Sequence, residues 1–131
     1  MILLDTHVVF WATTEPERLS RAARRAITAA ERADGVAICS ISLWELASLK
    51  AAGRLRVEGS MEGFLNKIAT RAGVAVLDIT PEIAVLAAQF PRSFPGDPVD
   101  RLIAATARAH GLTLVTKDER IQDSPLLRTV W

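Results

Sequence analysis

Apolar residues follow two periods that alternate along this chain. Short unbroken runs at Ile2-Leu3-Leu4, Val36-Ala37-Ile38-Cys39, Val74 to Ile79 and Leu112-Thr113-Leu114-Val115 read as strands buried on both faces, since a half-exposed strand would alternate apolar with polar. Between them the apolar residues fall three and four apart. Ala22, Ala23, Ala26, Ile27 and Ala30 make the inner face of one helix, and Arg21, Arg24, Arg25 and Arg32 its wet face. Met61, Phe64, Leu65 and Ile68 repeat the pattern, as do Ile83, Leu86 and Ala87, and then Leu102, Ile103 and Thr106. Val8 to Ala12 predict a short helix, and Arg128-Thr129-Val130 a small last strand. Strands alternating with helices predict an α/β domain: a parallel sheet of four to five strands, joined by right-handed crossovers and flanked by helices on both faces.

Polar punctuation supports the same boundaries. Ser20, Ser60, Thr80 before Pro81 and Asp97 before Pro98 stand where helices begin, each able to accept a free N–H, with proline suited to the first helical position. Ser42-Leu43-Trp44-Glu45 has the form of a capping box, predicting a helix that opens at Ser42 and runs through Leu46 and Leu49 towards Gly53. Arg54-Leu55-Arg56 reads as a connector.

Composition bounds the rest. With 131 residues, 50% of them hydrophobic, the chain suits one domain, 1–131, around one buried sheet. Its net charge of +1 announces no strongly basic surface. The lone Cys39 has no disulfide partner and reads as a small buried residue in a reducing cytoplasm. The start, Met-Ile-Leu-Leu-Asp, lacks a basic leader, and no apolar run reaches the ~20 residues needed to span a bilayer. A cytoplasmic protein with no membrane partner is expected.

The acids carry the chemistry. Asp5 ends the first strand, Glu45 follows the second, Asp97 and Asp100 open the helix before the fourth, and Asp118 follows the fourth. In a parallel α/β sheet these loops share the carboxyl edge, where sites form, except the start of the Asp97 helix, which a crossover arriving on that side must supply. Taken singly, each acid has an ordinary use: Asp97 as a cap, Glu45 in a capping box, Asp100 at a helix dipole. Gathered on one rim they conflict, because two carboxylates about 4 Å apart repel by roughly 4 kcal/mol at an effective dielectric of about 20. Such acids protonate, splay apart or bind a cation; the cation that carboxylates and water select is a hard divalent ion, Mg²⁺ or Mn²⁺, whose natural chemistry is in-line attack of activated water on a phosphodiester. Competing chemistries lack their parts: His7 and His110 are isolated, Cys39 has no neighbouring base, and neither phosphate-binding glycine motif is present.

Four stretches then resemble one family. Leu3-Leu4-Asp5-Thr6-His7, Ser42-x-x-Glu45, Asp97-Pro98-x-Asp100-Arg101-Leu102-Ile103-Ala104 and Leu114-Val115-Thr116-x-Asp118 are similar, in order and spacing, to the motifs of PIN domains, and most of all to VapC-type toxins of bacterial toxin–antitoxin pairs. The resemblance spans the whole chain. It implies an endoribonuclease dependent on Mg²⁺ or Mn²⁺, commonly a homodimer, neutralised by a VapB-like antitoxin. It places the family's acids on Asp5, Glu45, Asp100 and Asp118, with Thr6 and Thr116 as hydrogen-bonding neighbours and Arg101 in support. Asp97 is left as a cap or a helper in the metal shell. Two other classes share some of these features: a non-catalytic binding module on the same fold, and a phospho-acceptor receiver domain. The full set of acids speaks against the first. The second lacks its acid pair after the first strand, and Lys117 adjoins Asp118 instead of standing alone.

Overall fold

Successive residues of a strand face opposite sides of its sheet, and the central strands here bury both sides. In a computed structural model that describes residues 1–131, Leu3, Ala37 and Leu114 enter one core while Leu4, Ile38 and Val115 enter another. The strands are β1 (Ile2–Leu4), β2 (Val36–Cys39), β3 (Val74–Leu77), β4 (Thr113–Val115) and β5 (Thr129–Val130). All pair in parallel, in the order β3-β2-β1-β4-β5. Helices α1 (Thr6–Thr14), α2 (Arg21–Glu31), α3 (Ser40–Ala51), α4 (Met61–Ala69), α5 (Pro81–Gln89), α6 (Pro98–His110) and the short α7 (Glu119–Gln122) cover it. Residues of α5, α6 and α7 fill the core on one face; α1, α2, α4 and Leu46 of α3 fill the other.

Most helix starts follow from their first side chain. Ser20, Ser60, Thr80 and Asp97 each accept a backbone N–H of the turn they cap. α6 closes on Gly111 at φ 64°, a left-handed position that costs glycine least. Gly35 sits at φ 89° against the backbone of Gly73, where a Cβ would collide with the Gly73 carbonyl. That close approach lets the Val36 N–H reach the Gly73 oxygen at 2.9 Å, which sets the β2–β3 register.

Three sequence expectations change. β3 stops at Leu77, because Asp78 and Ile79 leave the sheet edge to bring Thr80 to the head of α5. α1 begins at Thr6, earlier than Val8, because Asp5 accepts the Thr6 N–H. The capping box fails: α3 opens at Ser40, directly after β2, with Cys39 at the cap position and no side-chain cap. Ser42 lies inside the first turn, fully buried, and its hydroxyl pairs with that of Thr6 at 2.9 Å. A buried hydroxyl must find a partner, and the cross-helix partner won over the local one.

The strand order places the site. The chain builds β1, β2 and β3 outward in one direction, then returns to lay β4 and β5 on the other side of β1. Connections leaving β1 and β4 therefore diverge, and a crevice opens at their carboxyl ends. Because β4 runs parallel to its neighbours, α6 must start at that same carboxyl edge and descend to the opposite one. Asp97 and Asp100 are carried to the crevice by this constraint.

Candidate active site

β1 and β4 end in register, and one threonine ties their ends together. The Asp5 N–H donates to the Val115 carbonyl at 3.0 Å, extending the ladder past the strand. Its Oδ1 accepts the Thr6 N–H at 2.8 Å, capping α1, and its Oδ2 accepts the Thr116 hydroxyl at 2.7 Å. The same Thr116 oxygen accepts the Asp118 N–H at 3.1 Å. Both Asp5 oxygens are thus aimed by short contacts, one to the next residue and one across the β1–β4 pair. Asp118 caps α7 through the Arg120 N–H at 2.9 Å and takes the Arg120 guanidinium on both oxygens, at 3.3 and 3.0 Å.

The other acids arrive on helices. Asp97 caps α6 as predicted, its Oδ1 accepting from Val99 N–H at 2.8 Å and Asp100 N–H at 3.4 Å. Asp100 stands in the first turn, and its carboxylate receives no hydrogen bond from the protein. Glu45 lies in the second turn of α3, and the Thr6–Ser42 hydroxyl pair fixes the heads of α1 and α3 against each other. Asp5, Glu45, Asp97, Asp100 and Asp118 all line one trough of about 1130 Å³.

Burial and mutual repulsion act on these groups together. Burial first, and then the charges of Asp5, Asp97, Asp118 and Glu45, push the Asp100 carboxyl up to about 7. Asp5 is also raised, chiefly by burial, although Thr116 and the Thr6 N–H hold it down in part. Glu45 is raised by burial, opposed by the nearby Thr6 hydroxyl, and raised further by Asp5 and Asp97. Asp118 departs the other way. Partial burial raises it, but the Arg120 guanidinium outweighs that and leaves it below the usual carboxylate range.

A divalent cation suits this donor set. The acids do not close into a cage of three protein ligands. Mg²⁺ does not require one, since it binds through one or two carboxylates and keeps several waters. Asp100, raised by burial and by four like charges and lacking any donor, is the group most in need of a cation.

Some residues fall elsewhere than their motif suggested. Arg101 touches no acid. Its guanidinium donates to the carbonyls of Pro95 at 2.9 Å, Phe90 at 3.0 Å, and Pro91 and Phe94 at 3.2 Å each, pinning the loop that delivers α6. Thr6 serves Asp5 with its N–H, while its hydroxyl goes to Ser42. Sequence reasoning missed Arg120, whose only signal was its place two residues after Asp118. It also missed that Arg54 and Arg56 of the connector, with Arg18 and Lys117, line the trough that holds the acids.

Fold and site together define an α/β protein with a carboxylate centre at the switch point of a parallel sheet. The chain belongs to the PIN domain family, whose model matches residues 2–125. It is 46% identical, over 99% of its length and 98% of the relative's, to Ribonuclease VapC22 of Mycobacterium tuberculosis. Among solved structures it is similar to VapBC2 from Rickettsia felis bound to a DNA fragment from their promoter, with a TM-score of 0.72 at 19% identity, covering 98% of this chain and 97% of that one. It is also similar to a toxin–antitoxin complex from Klebsiella pneumoniae, with a TM-score of 0.67 at 19% identity, covering 97% and 95%. No helix is long and apolar enough to cross a membrane.

Proposed function

We propose that this protein is an endoribonuclease that works with Mg²⁺ or Mn²⁺, the toxin of a cytoplasmic toxin–antitoxin pair. The observation that carries the reading is the meeting of Asp5, Glu45, Asp100 and Asp118 on one trough at the sheet's switch point. The likeness to VapC22, named a ribonuclease, supports RNA as substrate and a VapB-like antitoxin as partner.

In this reading Asp5 and Asp100 are the principal ligands of the ion, and Glu45 and Asp118 complete the acidic edge. When bound, the ion lowers the pKa of water and offsets charge on the phosphodiester. Thr116 aims Asp5 by donating to its Oδ2, so one oxygen pair is oriented before any ligand arrives. Arg120 keeps Asp118 ionised and held to one side of the trough. Asp97 caps α6 and adds negative charge, with a place in the metal shell open to it. The antitoxin neutralises the edge with a basic side chain, since an arginine offers paired hydrogen bonds to carboxylates and replaces the ion's charge.

Purified protein should cleave RNA in millimolar Mg²⁺ or Mn²⁺, stop in excess EDTA, and stop again when the antitoxin is added. Cleavage that continues undiminished in EDTA would rule out the metal; no cleavage of any RNA with either ion would rule out the ribonuclease.

A further inference from the structure

Two helices leave the acid edge side by side. α1 starts after Asp5 and α3 at Ser40, they pack against each other, and residues of both line the trough. Most of its acids gather at one end, and beyond them only Glu15 accompanies the arginines. Asp5 and Glu45 stand near the heads of the two helices. Beyond their far ends come Arg18, in the turn after α1, and Arg54 and Arg56, in the connector after α3. From Glu45 to the end of α3 at Ala51 is about 9 Å of helix axis, at roughly 1.5 Å per residue.

These cations are not spent on the fold. Arg54, Arg56 and Lys117 make no ion pair within the protein, and Arg18 has only a loose one to Glu15, at 3.6 Å. Nor are they randomly placed. The Arg18 guanidinium lies 4.9 Å from the centre of the buried Trp11 ring, and the Lys117 ammonium 5.6 Å from the same ring. Trp11 therefore holds both cations at the trough wall through its electron-rich face. Lys117, next to Asp118, stands at the acid end, and Arg18, Arg54 and Arg56 follow along the trough, a spacing that matches a ligand whose anions repeat along a chain.

We propose that the trough is a track for single-stranded RNA, and that Arg54 with Arg56, and Arg18 with Lys117, grip phosphates running to one side of the one presented to the acids. The inference rests on the ribonuclease reading above and adds to it where the strand runs. Positive grooves that follow the backbone are how proteins hold single strands without reading their sequence. Base contacts play no part in this grip, so the track supplies register and affinity and leaves target choice to other features.

The test measures binding of a short fluorescein-labelled single-stranded RNA by anisotropy, in Mg²⁺, on the Asp100→Asn background so that the probe survives. Arg54→Gln/Arg56→Gln and Arg18→Gln/Lys117→Gln are each expected to weaken binding roughly tenfold and to flatten the salt dependence by about 1.4 in log–log slope, two phosphate contacts at about 0.7 each. Arg21→Gln/Arg25→Gln, on the wet face of α2 outside the trough, is the control for net charge and should change binding by less than about twofold. On otherwise wild-type protein the same trough variants should raise KM with kcat nearly unchanged. If the trough variants bind RNA like the control while wild-type protein still cleaves it, the track is wrong and the ribonuclease reading stands. Loss of antitoxin binding with RNA affinity intact would make this wall a protein-docking surface and overturn the track as well. Wild-type protein that cleaves no RNA would overturn the underlying reading and the track with it.

Discussion

Asp100→Asn is expected to lower the rate of RNA cleavage at least ~100-fold, roughly 2.7 kcal/mol of transition-state stabilisation. Asp100 spends its carboxylate on no hydrogen bond or ion pair of the fold. Its carboxylate accepts no hydrogen bond, and burial, with the charges of its neighbours, raises it to about 7. A ligand of that kind contributes its charge only when a cation is present. Asn keeps the shape and loses the charge, so the loss should fall on catalysis. Asp97→Asn is the internal comparison. Asp97 uses Oδ1 to cap α6, and Asn caps a helix about as well, so its rate should fall by much less, within about tenfold. Single-turnover cleavage by both variants at saturating Mg²⁺ reads the difference. If Asp97→Asn proves the more damaging, Asp97 and not Asp100 is the third acid.

The second large effect is on stability, and it reverses with metal. Asp100 has a folded pKa of about 7 against 3.8 for the free group. Between those values the folded state keeps a proton that the unfolded state has released. Stability therefore falls as pH rises from about 4 to about 7, and the full penalty is present above that range. Unscreened, the shift would cost about 4 kcal/mol; with solvent on its open side, about 1–2 kcal/mol is the expected size. Metal-free Asp100→Asn should thus melt about 3–8 °C above metal-free wild type at pH 8, and the gap should close near pH 4. Adding Mg²⁺ at ten times its dissociation constant stabilises the wild type by roughly 1.4 kcal/mol, and the variant, lacking a ligand, by much less. Melts at the two pH values, with and without Mg²⁺, measure all of this. A variant less stable than wild type at pH 8, or an advantage unchanged by pH, would mean that Asp100 has a structural partner in the fold. Asp5 is a poorer choice for this experiment, because its oxygens cap α1 and take the Thr116 hydroxyl.

The same distinction explains what could be read from the chain and what could not. Strands announced themselves because burial on both faces leaves no polar position in Ile2-Leu3-Leu4 or Val36 to Cys39. The caps at Ser20, Ser60, Thr80 and Asp97 are local, one side chain serving a nearby N–H, and local chemistry is visible in sequence. Ser42 had the same local signature and failed, because its partner, Thr6, is 36 residues away. The side of the sheet on which Asp97 and Asp100 emerge followed from parallel topology alone. Thr116 bridging to Asp5 was suggested by family motifs, but its geometry depends on β1 and β4 pairing, a contact spanning 111 residues. Arg120 could not be separated from the other arginines of an arginine-rich chain. The cations beside Trp11 were hidden for a different reason: Arg18 and Lys117 meet over its ring only when the chain after β4 returns beside α1.

The most direct test of the central claim follows the oxygen. If the acid edge serves to hydrolyse RNA with water as nucleophile, cleavage run in ¹⁸O-labelled water must place one ¹⁸O in each newly formed terminal phosphate from the earliest products. Mass spectrometry of the fragments reads this without knowledge of the target sequence. Labelled, non-cyclic phosphate ends are expected, formed equally when the nucleotide at the cleavage point lacks its 2′-hydroxyl. Unlabelled 2′,3′-cyclic phosphate ends would show that the RNA's own hydroxyl attacks, and would contradict the role of Asp5 and Asp100 as ligands of the ion that activates water.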